Sequence, residues 1–198
     1  MLSPGLTLYV VRHGETDWNA AARYQGQRDI PLNDRGRAQA RRNGETLAAH
    51  LDAETLAGLD FIASPLGRAR ETMEILRAAM GLEPAAYALD ERVRELNYGH
   101  WEGQLAADLP QSDPAGLAER RLGPFAWRPR GGESYADLAR RTDGWLGSVA
   151  RSAIVVTHGG VSRTLRGTVL ALPADDIPFL PVPQDRVLVL GGGNAAWI

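Results

Sequence analysis

The chain has 198 residues, with 24 acidic and 22 basic side chains and a formal net charge of -2, a length that suits one large domain or two small ones. At 44% hydrophobic and 23% charged residues it has a globular composition, which excludes a disordered tail protein, and its near-neutral charge excludes the basic excess of a nucleic-acid coat. It has no Cys, so disulfides, thiolate catalysis and Cys-ligated metal or iron–sulfur sites are excluded, which fits a reducing cytosol.

Leu8-Tyr9-Val10-Val11 is a compact β-forming run that ends at Arg12-His13-Gly14 and reads as a buried strand. Asn33 is a natural N-cap for a helix over 34–51. Asp60 to Ser64 reads as a second strand stopped by Pro65, followed by a helix over 68–79 that ends before Gly81. Tyr87 to Leu89 suggests a short strand. Residues 97–131 are rich in Gly and Pro; a stretch so long without periodicity is usually functional and reads as a loop-rich cap. A helix is expected over 135–149. Ala153 to Thr157 is another buried strand, ended by His158-Gly159-Gly160, with a helix over 161–170. Two strands at 186–190 and 195–198 flank Gly191-Gly192-Gly193-Asn194, a hairpin signal. Strands alternating with helices predict an α/β sandwich with a mostly parallel sheet, in one domain over 1–198. No basic leader precedes an apolar stretch and no run approaches the ~20 apolar residues of a membrane span, so a cytoplasmic protein without membrane partners is expected.

Two units repeat one pattern: a β-run, one polar residue, then His-Gly, at His13 and at His158. In parallel α/β sheets, ligands bind beyond the carboxyl ends of the strands. Neighbouring strands would bring both imidazoles to one crevice. Arg12 beside His13 disfavours a divalent metal, and His13, His50, His100 and His158 show no short ligand spacing, so no metal or cofactor is expected. Every basic residue is Arg and none is Lys. That removes lysine mechanisms and leaves planar forks suited to oxyanions, phosphate above all. His50 reads as a helix C-terminal dipole partner. Gly191 to Gly193 opens no helix, so a phosphate-loop reading fails there.

Arg12-His13-Gly14-Glu15-Thr16-Asp17-Trp18-Asn19 resembles the signature of the histidine phosphatase superfamily, phosphoglycerate mutase-like branch. The resemblance covers nearly the whole chain in order. It continues through Pro31-Leu32-Asn33 to Gln39-Ala40, then Ser64-Pro65-Leu66-Gly67-Arg68-Ala69 with Glu71-Thr72. Glu91 to Glu95 with Gly99-His100-Trp101-Glu102-Gly103 follows, then Gly132-Glu133-Ser134 and Thr157-His158-Gly159-Gly160. It implies a three-layer α/β/α fold and a phosphohistidine mechanism without metal. His13 would be the nucleophile, with Arg12, Arg68 and His158 around the phosphoryl oxygens. Asn19 and the backbone near Gly159 would add donors. The family pattern places the acid four residues before the Gly-x-Trp-Glu-Gly run, so the resemblance implies Glu95 as the acid; chemically, Glu91 and Glu102 compete with it. Thr16 and Gln25, and more weakly Glu15, Arg23 and Arg28, are candidate substrate contacts. His100 reads as shaping the acid loop, and Phe125 and Trp127 as cap packing.

The resemblance implies a phosphomonoester hydrolase acting on a small phosphorylated metabolite. A 2,3-bisphosphoglycerate-dependent phosphoglycerate mutase is the alternative, and a non-catalytic phosphoprotein-binding module stands behind both. Family mutases tend to carry extra chain around the site, and the short stretch between Glu95 and Glu133 favours hydrolysis. The intact His, Arg and Glu set argues against a binding module. Oligomeric state is left open, a homodimer included, and no nucleic-acid partner is expected.

Overall fold

The computed structural model describes residues 2–198. In chain order it contains β1 (Thr7–Arg12), α1 (Asp17–Ala20), α2 (Asp34–His50), α3 (Ala53–Ala57), β2 (Asp60–Ala63), α4 (Gly67–Ala79) and β3 (Ala88–Leu89). Then come α5 (Leu109–Ser112), α6 (Pro114–Leu122), α7 (Tyr135–Leu146), β4 (Ala153–Thr157), α8 (Gly159–Leu170), β5 (Val187–Gly191) and β6 (Asn194–Trp197). The strands form one sheet in the order β3-β2-β4-β1-β5-β6. The first four are mutually parallel; β5 pairs antiparallel with β1, and β6 antiparallel with β5. The fold is the expected α/β sandwich.

Burial on both faces explains why β1 and β4 read as continuous apolar runs. Side chains alternate across a strand. Leu8 and Val10 therefore join Ala153 and Val155 under α7 and α8, with Leu138, Leu146 and Leu165. Tyr9 and Val11 join Ile154 and Val156 under α2 and α4, with Leu47, Met73 and Leu76. The two helix pairs, α2 with α4 and α7 with α8, pack on opposite faces.

The Asn33 cap is present: its Oδ1 accepts from the Gly36 N–H at 2.8 Å. Four short helices escaped the sequence reading. α1 is a single turn closed by a Thr16–Asn19 capping box. α3 is a five-residue helix capped by Asp52. α5 and α6 fall in the 97–131 stretch, which is less loop-like than its composition suggests. Pro114 occupies the first turn of α6, where a missing N–H costs nothing, and Asp113 caps that helix.

The parallel register pairs Arg12 with Thr157. The ladder runs one step further, since the His13 N–H donates to the Thr157 carbonyl at 2.8 Å. His13 and His158 therefore leave adjacent strands side by side.

Candidate active site

After His13 the chain leaves the strand, and its neighbours hold it in place. The Gly14 N–H donates to Thr72 Oγ1 of α4 at 3.1 Å, and the Glu15 N–H to Gln39 Oε1 of α2 at 2.8 Å. A Cβ on Gly14 would overlap the Gly36 carbonyl, so only glycine lets the loop pass this close to the start of α2.

The His13 side chain is buried and in a defined tautomer. Nδ1 lies 2.8 Å from the Gly14 carbonyl oxygen, which can only accept. Nδ1 therefore carries the proton and Nε2 the lone pair. Arg68 Nε donates to that Nε2 at 3.2 Å. Burial first, then Arg68 and Arg12, push the His13 pKa well below the usual histidine range, so the ring is neutral at pH 7. A neutral imidazole with a bare nitrogen is the nucleophilic form.

Arg68 is fixed as tightly. Its Nη1 donates to the Arg28 carbonyl at 2.6 Å and its Nη2 to that of Gly26 at 2.7 Å. The hydrogen-bond network orients the Gln25 amide so that its oxygen accepts from Arg68 Nη1 at 2.9 Å while its NH₂ donates to Thr16 Oγ1 at 2.6 Å. Burial lowers Arg68 to about 10, so it stays charged. Arg12 Nη1 donates to the Val182 carbonyl at 2.8 Å, while its Nε is buried without a protein partner.

His158 is fully buried against His13, with ring centroids 5.1 Å apart. Its Nε2 lies 2.7 Å from Ser64 Oγ, and its Nδ1 has no protein partner. Burial, then Arg68 and His13, push its pKa well below the ordinary value too. Both rings are neutral in the fold, but would protonate near the ordinary value in the unfolded chain. Stability should therefore be full above about pH 6.5 and fall as pH drops below it, by up to about 1.4 kcal/mol per pH unit for each histidine. Urea unfolding at pH 7.5 and 5.5 checks this: His158→Asn should flatten the decline, and equal declines in wild type and variant would refute it.

Glu95 separates from its two competitors. Its Oε1 accepts from the Leu96 N–H at 2.8 Å and from the Gly160 N–H, at the start of α8, at 3.0 Å; Oε2 has only a longer contact to Gly160, 3.3 Å. A helix N-terminus favours a carboxylate. Glu91 is exposed and paired with Arg94 at 3.0 Å. Glu102 accepts from the Gln27 and Tyr98 N–H groups at 2.8 and 3.3 Å.

A cavity of about 130 Å³, roughly four water volumes, collects Arg12, His13, Asn19, Gln25, Arg68, Glu95 and Gly159 in its wall. Tyr98 and Arg163 line it as well. His158 is not part of this lining and sits behind His13. Thr16, expected among the substrate contacts, is also behind the wall: its hydroxyl is occupied by the Asn19 N–H and Gln25. Glu15 instead accepts from the Asn33 amide at 3.1 Å. Arg23 lines the cavity, whereas Arg28 is exposed and lies 3.5 Å from Glu102. His50 ends α2, as read. His100 and Trp101 both contact the Asp113 carboxylate, at 2.8 and 2.7 Å, and Trp127 stacks on Trp101 at 4.3 Å.

Arg163, Tyr98 and Gln184 were missed. Arg163 lies one helical turn beyond Gly159 and so shares its face, a signal that was available. Gln184 comes from a remote loop, and its amide donates to the His13 carbonyl and to Asn19 Oδ1, both at 3.1 Å; nothing local announces it. A second cavity, of about 410 Å³, is lined partly by the same residues and adds Arg120 and Tyr135. A larger hollow of about 840 Å³ at the β2–β3 edge is mostly apolar and contains none of these groups. Among the described residues, no three His, Cys, Asp or Glu side chains are grouped to hold a metal ion.

Bare Nε2, fixed guanidinium groups and one tethered carboxylate around a small polar cavity suit transfer of a phosphoryl group. Comparison with known proteins points the same way. Residues 8–197 match the family model described as "Histidine phosphatase superfamily (branch 1)". A glucosyl-3-phosphoglycerate phosphatase of Mycolicibacterium vanbaalenii is 35% identical, covering 96% of this chain and 82% of that protein. A protein named "Probable phosphoglycerate mutase GpmB" in Salmonella paratyphi C is 36% identical, over 85% and 77% of the two chains. Among solved structures, a mycobacterial glucosyl-3-phosphoglycerate phosphatase complexed with VO3 superimposes with a TM-score of 0.78 at 31% identity, over 98% and 96% of the chains. The alpha-ribazole phosphatase of Shigella flexneri shares the fold, with a TM-score of 0.79 at 24% identity over 96% and 93%.

Proposed function

The chain belongs to the histidine phosphatase superfamily, branch 1, and is a phosphatase of small phosphorylated metabolites; we propose that it works through a phosphohistidine on His13. The observation that carries this reading is the His13 ring itself. It is neutral and buried, its proton is held on Nδ1 by the Gly14 carbonyl, and Nε2 lies beside Arg68 in the wall of the small cavity.

In the first step Nε2 attacks phosphorus, the bond from phosphorus to the ester oxygen breaks, and Glu95 delivers a proton to that oxygen. Oε2 carries the proton, since Oε1 is engaged by two backbone N–H groups. In the second step Glu95 takes a proton from water, the water oxygen attacks phosphorus, and the P–N bond breaks to release phosphate and regenerate neutral His13. Arg12, Arg68 and the Asn19 amide meet the phosphoryl oxygens. His158 packs against His13 from behind, with Nε2 in a hydrogen bond to Ser64 Oγ, and supports the position of the attacking ring.

Residues 97–131 act as a cap within one domain: Tyr98, Ala106 and Arg120 from this stretch line the outer cavity. The relatives' substrates, glucosyl-3-phosphoglycerate among them, are the first to assay here. Mutase transfer is the alternative suggested by the GpmB relatives. Release of inorganic phosphate from 3-phosphoglycerate supports hydrolysis, whereas conversion to 2-phosphoglycerate without release would replace it. No helix among the described residues is long and apolar enough to cross a membrane. The Cys-free chain suits the reducing cytoplasm, where we place it. Its slight negative charge disfavours nucleic-acid partners.

The reaction needs no metal in this reading, because the fixed charges of Arg12 and Arg68 do a metal's electrostatic work and repel a divalent cation. Hydrolysis of p-nitrophenyl phosphate should persist undiminished in excess EDTA. Loss of activity in the chelator, restored by a divalent metal, would overturn that point.

A further inference from the structure

We propose that Gln184 is a positioning residue of the phosphoryl site: by a hydrogen bond to Asn19 it makes the NH₂ of that amide, and not its oxygen, face the phosphoryl group. This rests on the phosphatase reading above and deepens it.

An Asn amide has a donor end and an acceptor end of nearly equal size, so its use to an oxyanion depends on what fixes its orientation. Here the chain of bonds starts from a group with no choice. The His13 backbone carbonyl can only accept, so the end of the Gln184 side chain that lies 3.1 Å from it is the NH₂. The same nitrogen lies 3.1 Å from the Asn19 side chain, whose facing atom is therefore Oδ1. The Thr16 N–H also donates to that oxygen, at the longer distance of 3.3 Å. Among the described residues, the Asn19 side chain bonds to protein only through Oδ1. Its NH₂ is left for the small cavity, whose wall Asn19 shares with Arg12, His13 and Arg68. A reversed amide would turn an oxygen toward phosphoryl oxygens and repel them. Gln184 does not line that cavity itself, so it acts on a phosphoryl group through Asn19.

The fold puts Gln184 there and holds it. β5 runs antiparallel to β1, with Val187 paired to Val11, so the residues just before β5 lie beside those just after β1. Leu180, Val182 and Gln184 alternate with Pro181 and Pro183, and the residue before a proline is biased toward extended backbone. The Leu180 carbonyl accepts from Arg163 Nε and the Val182 carbonyl from Arg12 Nη1, both at 2.8 Å. The Gln184 carbonyl accepts from Nδ2 of Asn43, a buried residue of α2, at 3.0 Å. Side chains of α8, β1 and α2 thus anchor the backbone of this segment. The Gln184 amide is offered in one place, and a donor held in position binds with less ordering cost.

The test is a double-mutant cycle on Gln184 and Asn19, read as kcat/KM for p-nitrophenyl phosphate and as inhibition by inorganic phosphate. Gln184→Met keeps the length of the side chain and removes the donor, which leaves only the longer Thr16 bond to orient Asn19. It should lower kcat/KM about tenfold and weaken phosphate inhibition by a similar factor, the worth of one hydrogen bond to a charged acceptor. Asn19→Ala should lose at least as much. Adding Gln184→Met to Asn19→Ala should cost less than about twofold more, because the group it orients is gone; independent residues would instead multiply their losses. The Asn19 NH₂ meets phosphoryl oxygens and not the leaving oxygen, so Gln184→Met should slow alkyl and nitrophenyl esters equally. Gln184→Leu gives the same readouts should the Met variant fold poorly. Multiplied losses in the double variant, or phosphate inhibition unchanged in both Gln184 variants, overturn the positioning role and leave the phosphatase reading standing. Absence of hydrolysis of every ester by the wild type overturns both.

Discussion

His13→Ala is expected to lower turnover about a thousandfold or more and to abolish any trappable phosphoenzyme. Covalent catalysis splits one difficult displacement into two easier ones, and without Nε2 the cavity keeps only its positioned cations. His158→Ala should also cripple turnover yet still accumulate phosphoenzyme. The two rings are neighbours on adjacent strands and are both neutral, so the difference lies in their hydrogen bonds. His13 has its proton fixed on Nδ1 and presents Nε2 to the cavity. His158 has Nε2 tied to Ser64 and is outside the cavity lining. Attack requires reacting atoms about 3–3.5 Å apart, which the ring in the wall can meet and the one behind it cannot. Quenching enzyme and substrate in alkali, where phosphohistidine survives, and mapping the modified peptide decides the matter. Phosphate on His158, or on a Ser or Asp, would overturn the mechanism.

Glu95→Gln is expected to slow hydrolysis of alkyl phosphates by about 10²–10⁴-fold, the usual worth of general acid catalysis, and to slow release of a nitrophenolate much less, because a good leaving group needs little protonation. Gln keeps an oxygen to accept from the Leu96 and Gly160 N–H groups, so the loop should hold its shape while the transferable proton is lost. Both arms are read as rates against leaving-group pKa: the slope should steepen in the variant. An equal loss for every leaving group would remove Glu95 from the acid role and direct attention to Glu102. A Cβ on Gly160 would crowd Glu95 Oε1, so glycine there also serves the carboxylate.

Much of the fold was legible because both of its periodicities are strong. β1, β2 and β4 are short apolar runs cut off by polar or Pro residues; α2 announces its start through Asn33 and α4 its end through Gly81. The residues that punctuate these elements, His13, Arg68 and His158, begin or end them, and a parallel sheet collects such residues at one edge. The misses were short or ambiguous. α1 and α3 are too brief to show a period. α6 lies in the Gly- and Pro-rich stretch read as loop, although the position after an Asp cap is where a helix accepts Pro114.

Composition and residue order set the chemical inventory: no thiol, no lysine, two His-Gly strand ends, and an arginine beside the first of them. They also set the parallel α/β layout, because alternating apolar periods are written residue by residue along the chain. Three things were decided only by tertiary structure. The place of the Glu95 carboxylate in the cavity wall, apart from Glu91 and Glu102, depends on the Gly160 N–H that meets it across 65 positions of chain. The assignment of the free nitrogen on His13 depended on which carbonyl its Nδ1 reached. The arginine-lined outer cavity required α6, α8 and the loop after His13 to converge, with Gln184 bracing the wall from 171 positions beyond His13. The reason is common to all three. Local periodicity encodes which face a side chain takes, whereas hydrogen-bond partners belong to pairs of segments that only folding brings together.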